Sequence, residues 1–250
     1  MIDKLHFLNE YIDILRDIVS SKSMKEEKAN EEFNSKMKRL LKLEDENDLN
    51  VIYASFDVIG DTSLAIEHFK KFGLSGATKY DEVGEKYLRL YGVLNAIYLN
   101  KEAVLSLYNK FKIYKYKEVK NNIEKLKILN IRHKIGAHSV NYKNGNDEIE
   151  CYTPSRITMT EKELEFYNMD ISKHEFETIN LDELISEYLE EIFSVVEKLV
   201  QGFVNKIFKT NANIKKDYLE KIDLISKQIK GEVIVINTFD SKKFIDIEWI

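Results

Sequence analysis

Residues 181–208, LDELISEYLEEIFSVVEKLVQGFVNKIF, decide the fold class. Leu184, Ile185, Tyr188, Leu189, Ile192, Val195, Val196, Leu199, Val200, Phe203 and Ile207 recur three and four positions apart. That spacing lines apolar side chains along one stripe of an α-helix. Asn180 stands where an N-cap belongs, and Glu183 follows at the capping-box position. The run therefore predicts one long amphipathic helix.

Outward from it the same spacing recurs. Leu5, Leu8, Tyr11, Ile12, Leu15, Ile18 and Val19 predict a helix over about 3–20. Residues 20–48 are more polar, with Phe33, Met37, Leu40 and Leu41 back at helical spacing, so either one protruding helix or two helices fit. Val51, Ile52, Phe56, Ile59, Ile66 and Phe69 mark a helix over 48–72, and Gly73 and Gly76 are placed to stop it. Residues 81–99 read as a central helix, 101–111 as a short one, and 116–137 as a third.

β-Structure is predicted in two places. Asn144-Gly145 is a turn signal, and alternation over 149–170 predicts a small hairpin. A helix over 211–230, stopped by Gly231, leads to a β-branched tail at 232–236, suited to pairing with 244–250. The expected fold is mainly α: a helical bundle with a small inserted β-hairpin and a short β-containing C-terminal extension. The expected domains are 1–208, with the insertion near 149–170, and an extension over 209–250.

Composition agrees with that class. The chain has 250 residues, 44% hydrophobic and 32% charged, with one Pro and nine Gly. Few breakers and mixed charge are what long, solvated helices require. A net charge of -5 argues against a nonspecific coat on nucleic acid but leaves room for a local basic site. Cys151 is the single cysteine, so no intramolecular disulfide can form. The charged start and the lack of a long apolar run lead us to expect no signal peptide, no membrane span and a cytoplasmic location.

One segment concentrates chemistry. Ile131-Arg132-His133-Lys134-Ile135-Gly136-Ala137-His138-Ser139 crowds an arginine and two histidines beside small residues. On an ideal α-helix Arg132 and His138 stand about 120° apart. Convergence then needs the helix end to unwind at Gly136, or two copies of the motif to face each other across a twofold axis. Arginine offers phosphate a planar fork of donors. Histidine can take and give a proton near neutrality. RNA supplies its own nucleophile, the 2′-hydroxyl, so this set suits metal-free cleavage that leaves a 2′,3′-cyclic phosphate and a 5′-hydroxyl.

Basic residues from Lys110 to Lys134, including Lys117 and Lys127, outnumber Glu118 and Glu124, with Tyr114 and Tyr116 among them. Such a stretch can hold single-stranded RNA, though a charge run is more often a solvated face. Lys134, Lys127, Lys117 and Tyr142 are the candidate substrate contacts. His6, His68 and His174 stand singly, and no metal-ligand spacing or phosphate-cradling glycine loop occurs. No cofactor and no metal are expected.

The segment Arg132-His133-Lys134-Ile135-Gly136-Ala137-His138 resembles the R-polar-x-x-x-(x)-H signature of the HEPN superfamily, many of whose members are metal-independent ribonucleases of toxin–antitoxin, phage-defence and CRISPR-linked systems. The likeness covers about ten residues and a loose helical context. Arg132 matches the family arginine, His133 the polar residue after it, and His138 the catalytic histidine. Two positions on, where toxins paired with nucleotidyltransferase antitoxins carry tyrosine, this chain has Val140. The resemblance implies a homodimer with a composite site, RNA as substrate, and an antitoxin or activator protein as partner. His138 would be the acid/base, Arg132 the phosphate clamp and His133 a hydrogen-bonding assistant. The alternative reading is a noncatalytic HEPN-type module that binds RNA, a nucleotide or a protein. A third is a structural helical protein that dimerises through the 180–208 helix.

Overall fold

The computed structural model describes residues 5–25, 28–78, 82–169, 176–238 and 241–246. The chain is mainly α, with small antiparallel sheets inserted after the motif and at the C-terminal end. It divides into two compact units, one of residues 1–57, 106–116 and 193–250, the other of 58–105 and 117–192. Four helices contribute residues to both: α3 (Asp48–Phe72), α4 (Val83–Lys110), α5 (Tyr116–Glu124, by Tyr116 alone) and α7 (Leu181–Ile207).

In the first unit, α1 (Leu5–Ser23) buries the predicted stripe, with Leu8, Tyr11, Leu15, Ile18 and Val19 fully covered. The helix ends at Ser23, whose carbonyl accepts from Lys36 Nζ at 2.8 Å. α2 (Phe33–Leu41) follows and stops at Lys42, which is left-handed at φ 58°. Residues 20–48 are thus two helices; Glu26 and Glu27 between them lie outside the described residues. Phe111 stacks on Phe203 of α7 at 3.9 Å between centroids.

α8 (Ala212–Lys230) stops at Gly231 as the sequence predicts, and it also carries an N-cap that the sequence reading does not name. The Asn211 side chain accepts from the Ile214 N–H, and Gly231 sits at φ 77°. Tyr218 of α8 donates to Asp17 of α1 at 3.0 Å. The tail forms β6 (Val233–Thr238) and β7 (Ser241–Asp246), paired antiparallel from Val233↔Asp246 to Thr238↔Ser241. The predicted partner strand therefore starts at Ser241 rather than Phe244, and residues 247–250 lie outside the described residues.

In the second unit, the helix predicted over 116–137 is three pieces: α5 (Tyr116–Glu124), α6 (Lys127–Ile131) and a π-turn (Arg132–Ala137). The apolar stripe explains the break. Ile128 follows Ile123 by five positions, so on one straight helix it would point about 140° away. An extended Leu126, at ψ 133°, lets Ile123 and Ile128 both be buried. In the other direction, the two helices expected over 81–99 and 101–111 are one, α4, because no breaker separates them.

The β-region exceeds the expected hairpin. β1 (Tyr142–Lys143) pairs with β2 (Ile149–Glu150) around a turn in which Asn144 Oδ1 accepts from the N–H groups of Asn146 and Glu148. β3 (Tyr152–Pro154), β4 (Glu163–Asn168) and β5 (Phe176–Asn180) form a three-stranded antiparallel sheet. Pro154 sits on an edge strand, where its missing N–H costs no ladder bond. Asn180 then caps α7, accepting from the N–H groups of Asp182 and Glu183 at 3.0 and 3.2 Å.

Gly73 ends α3 at φ 56°, and a Cβ there would land on the Glu161 carbonyl oxygen, which also accepts from Leu74 N. Left-handed strain and this close backbone approach predict that Gly73→Ala destabilises by about 1–3 kcal/mol. Chemical denaturation of the two proteins checks it.

Candidate functional site

The motif sits in the second unit, and its π-turn sets the geometry. His138 N donates to the His133 carbonyl at 2.9 Å, an i→i+5 bond that widens the turn by one residue. The wider turn brings His133 and His138, which would diverge on an α-helix, to one side. Their rings lie 6.2 Å apart and nearly parallel, at 19°. Arg132 joins them, with NH1 3.5 Å from His133 Nδ1. Arg132, His133 and His138 are therefore neighbours within one chain. The convergence does not come from unwinding at Gly136. That glycine lies inside the π-turn without a left-handed φ, and a Cβ there would make ordinary contacts with Leu94 and Arg132.

Ile135, 2% exposed, anchors the turn in the core, while His138 is exposed and Arg132 and His133 are half-buried. Behind them stand Tyr98 and Lys101, which lie outside the motif. The Arg132 guanidinium lies 3.8 Å from the centroid of the Tyr98 ring, and Lys101 Nζ lies 4.6 Å from the same ring. Lys101, only 3% exposed, pairs with Glu102 at 2.6 Å and reaches Glu124 at 3.9 Å. In the sequence Tyr98 is one more apolar position within the central helix predicted over 81–99. The nearest signal in the sequence was Lys101, three positions beyond it.

Burial and these neighbours together bias His133 toward its neutral form. Partial burial pushes its pKa down, and the cations Arg132 and Lys101 and the second imidazole, His138, push the same way; Glu124 opposes them. A guanidinium can only donate, so Nδ1 is the side that accepts, and the neutral ring carries its proton on Nε2. A pH dependence follows. The unfolded chain binds a proton at the ordinary value of roughly 6.5, whereas the folded chain binds it only at lower pH. Stability from His133 is thus complete above about 6.5 and is lost as pH falls through the folded value. Urea midpoints at pH 7.5 and 5.5 should differ more in wild type than in His133→Gln.

The four predicted substrate contacts fall in different settings. Lys134 Nζ lies over Tyr152 at 4.6 Å and Phe166 at 5.8 Å, so it clamps the π-turn to the three-stranded sheet. Tyr142 accepts from Asn130 Nδ2 at 3.3 Å and packs edge-on against Tyr152. Lys127 pairs with Glu177 at 2.7 Å. Lys117 is exposed on α5, which α6 separates from the π-turn. The basic stretch is partly neutralised: Lys110 pairs with Asp48, Lys112 with Glu44 and Lys120 with Glu124.

Among the described residues, no three of His, Cys, Asp and Glu converge as a metal site would require, and no helix is long and apolar enough to cross a membrane. No protein-family model, curated protein or solved structure matches this chain.

Proposed function

We propose that this chain is a metal-independent endoribonuclease of the HEPN type, acting as a homodimer on RNA in a toxin or phage-defence setting. The observation that carries the reading is the meeting of Arg132, His133 and His138 on one side of the π-turn. Arg132 clamps the scissile phosphate with its fork of donors. His133, held neutral, donates from Nε2 to a nonbridging oxygen. His138 is the exposed, proton-transferring imidazole.

The step balances without a metal. The 2′-oxygen attacks phosphorus as His138 takes its proton, and the bond from phosphorus to the 5′-oxygen breaks. In a composite site the second copy's His138 protonates that leaving oxygen. A 2′,3′-cyclic phosphate and a 5′-hydroxyl result. An antitoxin or activator protein is the partner class this chemistry calls for, since a free ribonuclease of broad reach would be harmful to its host.

The test is incubation of the wild-type chain with total tRNA and an unstructured RNA in EDTA, with analysis of the product ends. Cyclic phosphate ends are expected. Intact RNA at all protein concentrations, with the RNA nevertheless bound, would move the assignment to the noncatalytic RNA-binding module.

A further inference from the structure

We infer that Tyr98 is the positioning residue of this site, the rigid platform that fixes the plane of the Arg132 guanidinium for phosphate. The inference rests on the ribonuclease reading and adds to it a residue outside the motif.

The geometry begins with Arg132 itself. It projects from a π-turn on a long side chain, and a free guanidinium there would sample many orientations. A centroid distance of 3.8 Å places it in van der Waals contact with the Tyr98 ring. Aromatic faces attract a planar cation, and contact through the face leaves the rim of the fork, apart from the NH1 group that meets His133 Nδ1, open to a phosphate. The platform is firm because α4 is continuous from Val83 to Lys110, and Ile97 and Asn100 beside Tyr98 are completely buried. A base stacked on this ring is therefore not its role: the face in question is already covered by Arg132.

The same ring also gathers the rest of the site. His133 meets it edge-on at 6.3 Å and 78°. Lys101, at 4.6 Å, adds a second cation, paired with Glu102 and, at longer range, with Glu124. Removing the ring would free Arg132 and admit water beside His133. Both consequences can be read separately.

The test compares wild type with Tyr98→Phe, Tyr98→Leu and Tyr98→Gln as full-length chains, each first shown to be folded by circular dichroism. Two readouts are taken: kcat and KM on an RNA oligonucleotide in EDTA, and the NMR titration of the His133 imidazole without RNA. Phe keeps the ring and should match wild type in both. Leu and Gln should lower kcat by roughly ten- to a hundredfold, the scale of a catalytic group held out of place. In the same two variants the His133 titration should move up toward its ordinary value. If wild type cleaves and the Leu and Gln variants match it in kcat and in the His133 titration, Tyr98 is not a positioning residue and the ribonuclease reading stands. If wild type itself does not cleave, it is the ribonuclease reading that fails, and the positioning role goes with it.

Discussion

Under the proposed ribonuclease reading, His138→Ala is expected to lower RNA cleavage by at least about a hundredfold, the low end of what a positioned acid or base contributes. Stability should stay within about 0.5 kcal/mol of wild type, because the side chain is exposed and the bond that closes the π-turn is made by its backbone N–H. The separation of the two effects makes the variant informative. Arg132→Ala should also abolish most activity, and in addition it removes the stack on Tyr98, worth about 1 kcal/mol at a half-exposed site. Arg132→Lys should rescue little: an ammonium restores the charge but neither the planar stack nor the two-pronged contact. Cleavage at the wild-type rate by His138→Ala, in a preparation free of other nucleases, would place the chemistry elsewhere on the chain.

The residue types and order of the candidate site are legible in the sequence, and the reason is local. Arg132, His133 and His138 lie within one turn and a half of chain, so their types and order are visible without any tertiary contact. How they meet was not visible. Helical periodicity assumes 3.6 residues per turn, and on that assumption Arg132 and His138 diverge, which forced a choice between unwinding and a twofold axis. The i→i+5 bond from His138 to His133 is a third solution. No residue type marks a π-turn, so the pattern could not announce it. Tyr98 and Lys101 were hidden for a different reason. They come from a helix some thirty residues earlier, and in one dimension a tyrosine on an apolar stripe looks like any other core residue.

The fold divides in the same way. α1, α7 and α8 match their predicted spans closely, because each carries an uninterrupted stripe, with a recognisable cap at Asn180 before α7 and a stop at Gly231 after α8. The 116–137 segment reads as one helix because single residues out of phase are easily tolerated in a pattern, whereas in the core they are not: breaking the helix lets Ile123 and Ile128 both be buried. The three-stranded sheet reads as a hairpin because short strands carry little periodicity, and its third strand, β5, runs directly into the cap of α7.

Tyr188 is where the second unit should be most sensitive. Its side chain is fully buried, and its hydroxyl donates toward Asn100 Oδ1 at 2.9 Å, with the Ile97 carbonyl at 3.1 Å. Asn100 Nδ2 donates to Thr62 Oγ1 at 2.9 Å, and Thr62 donates to the Val58 carbonyl at 2.6 Å. The chain of bonds ties α7 to α4 and α4 to α3, each member finding a partner in a place without water. Tyr188→Ala removes a large aromatic from a packed core and is expected to cost about 3–5 kcal/mol, enough to unfold a marginal domain. Tyr188→Phe keeps the packing but strips Asn100 Oδ1 of its donor, at about 1–3 kcal/mol. If the pair acts as a unit, Asn100→Leu should cost less in the Tyr188→Phe background than in wild type, since the orphaned amide is then gone. Urea denaturation of the four proteins measures that coupling. Strict additivity would mean that Tyr188 satisfies its hydroxyl through the Ile97 carbonyl alone. Because Asn100 lies between Tyr98 and Lys101 in sequence, a loosened network should, under the proposed ribonuclease reading, also slow RNA cleavage at temperatures where the variants remain folded.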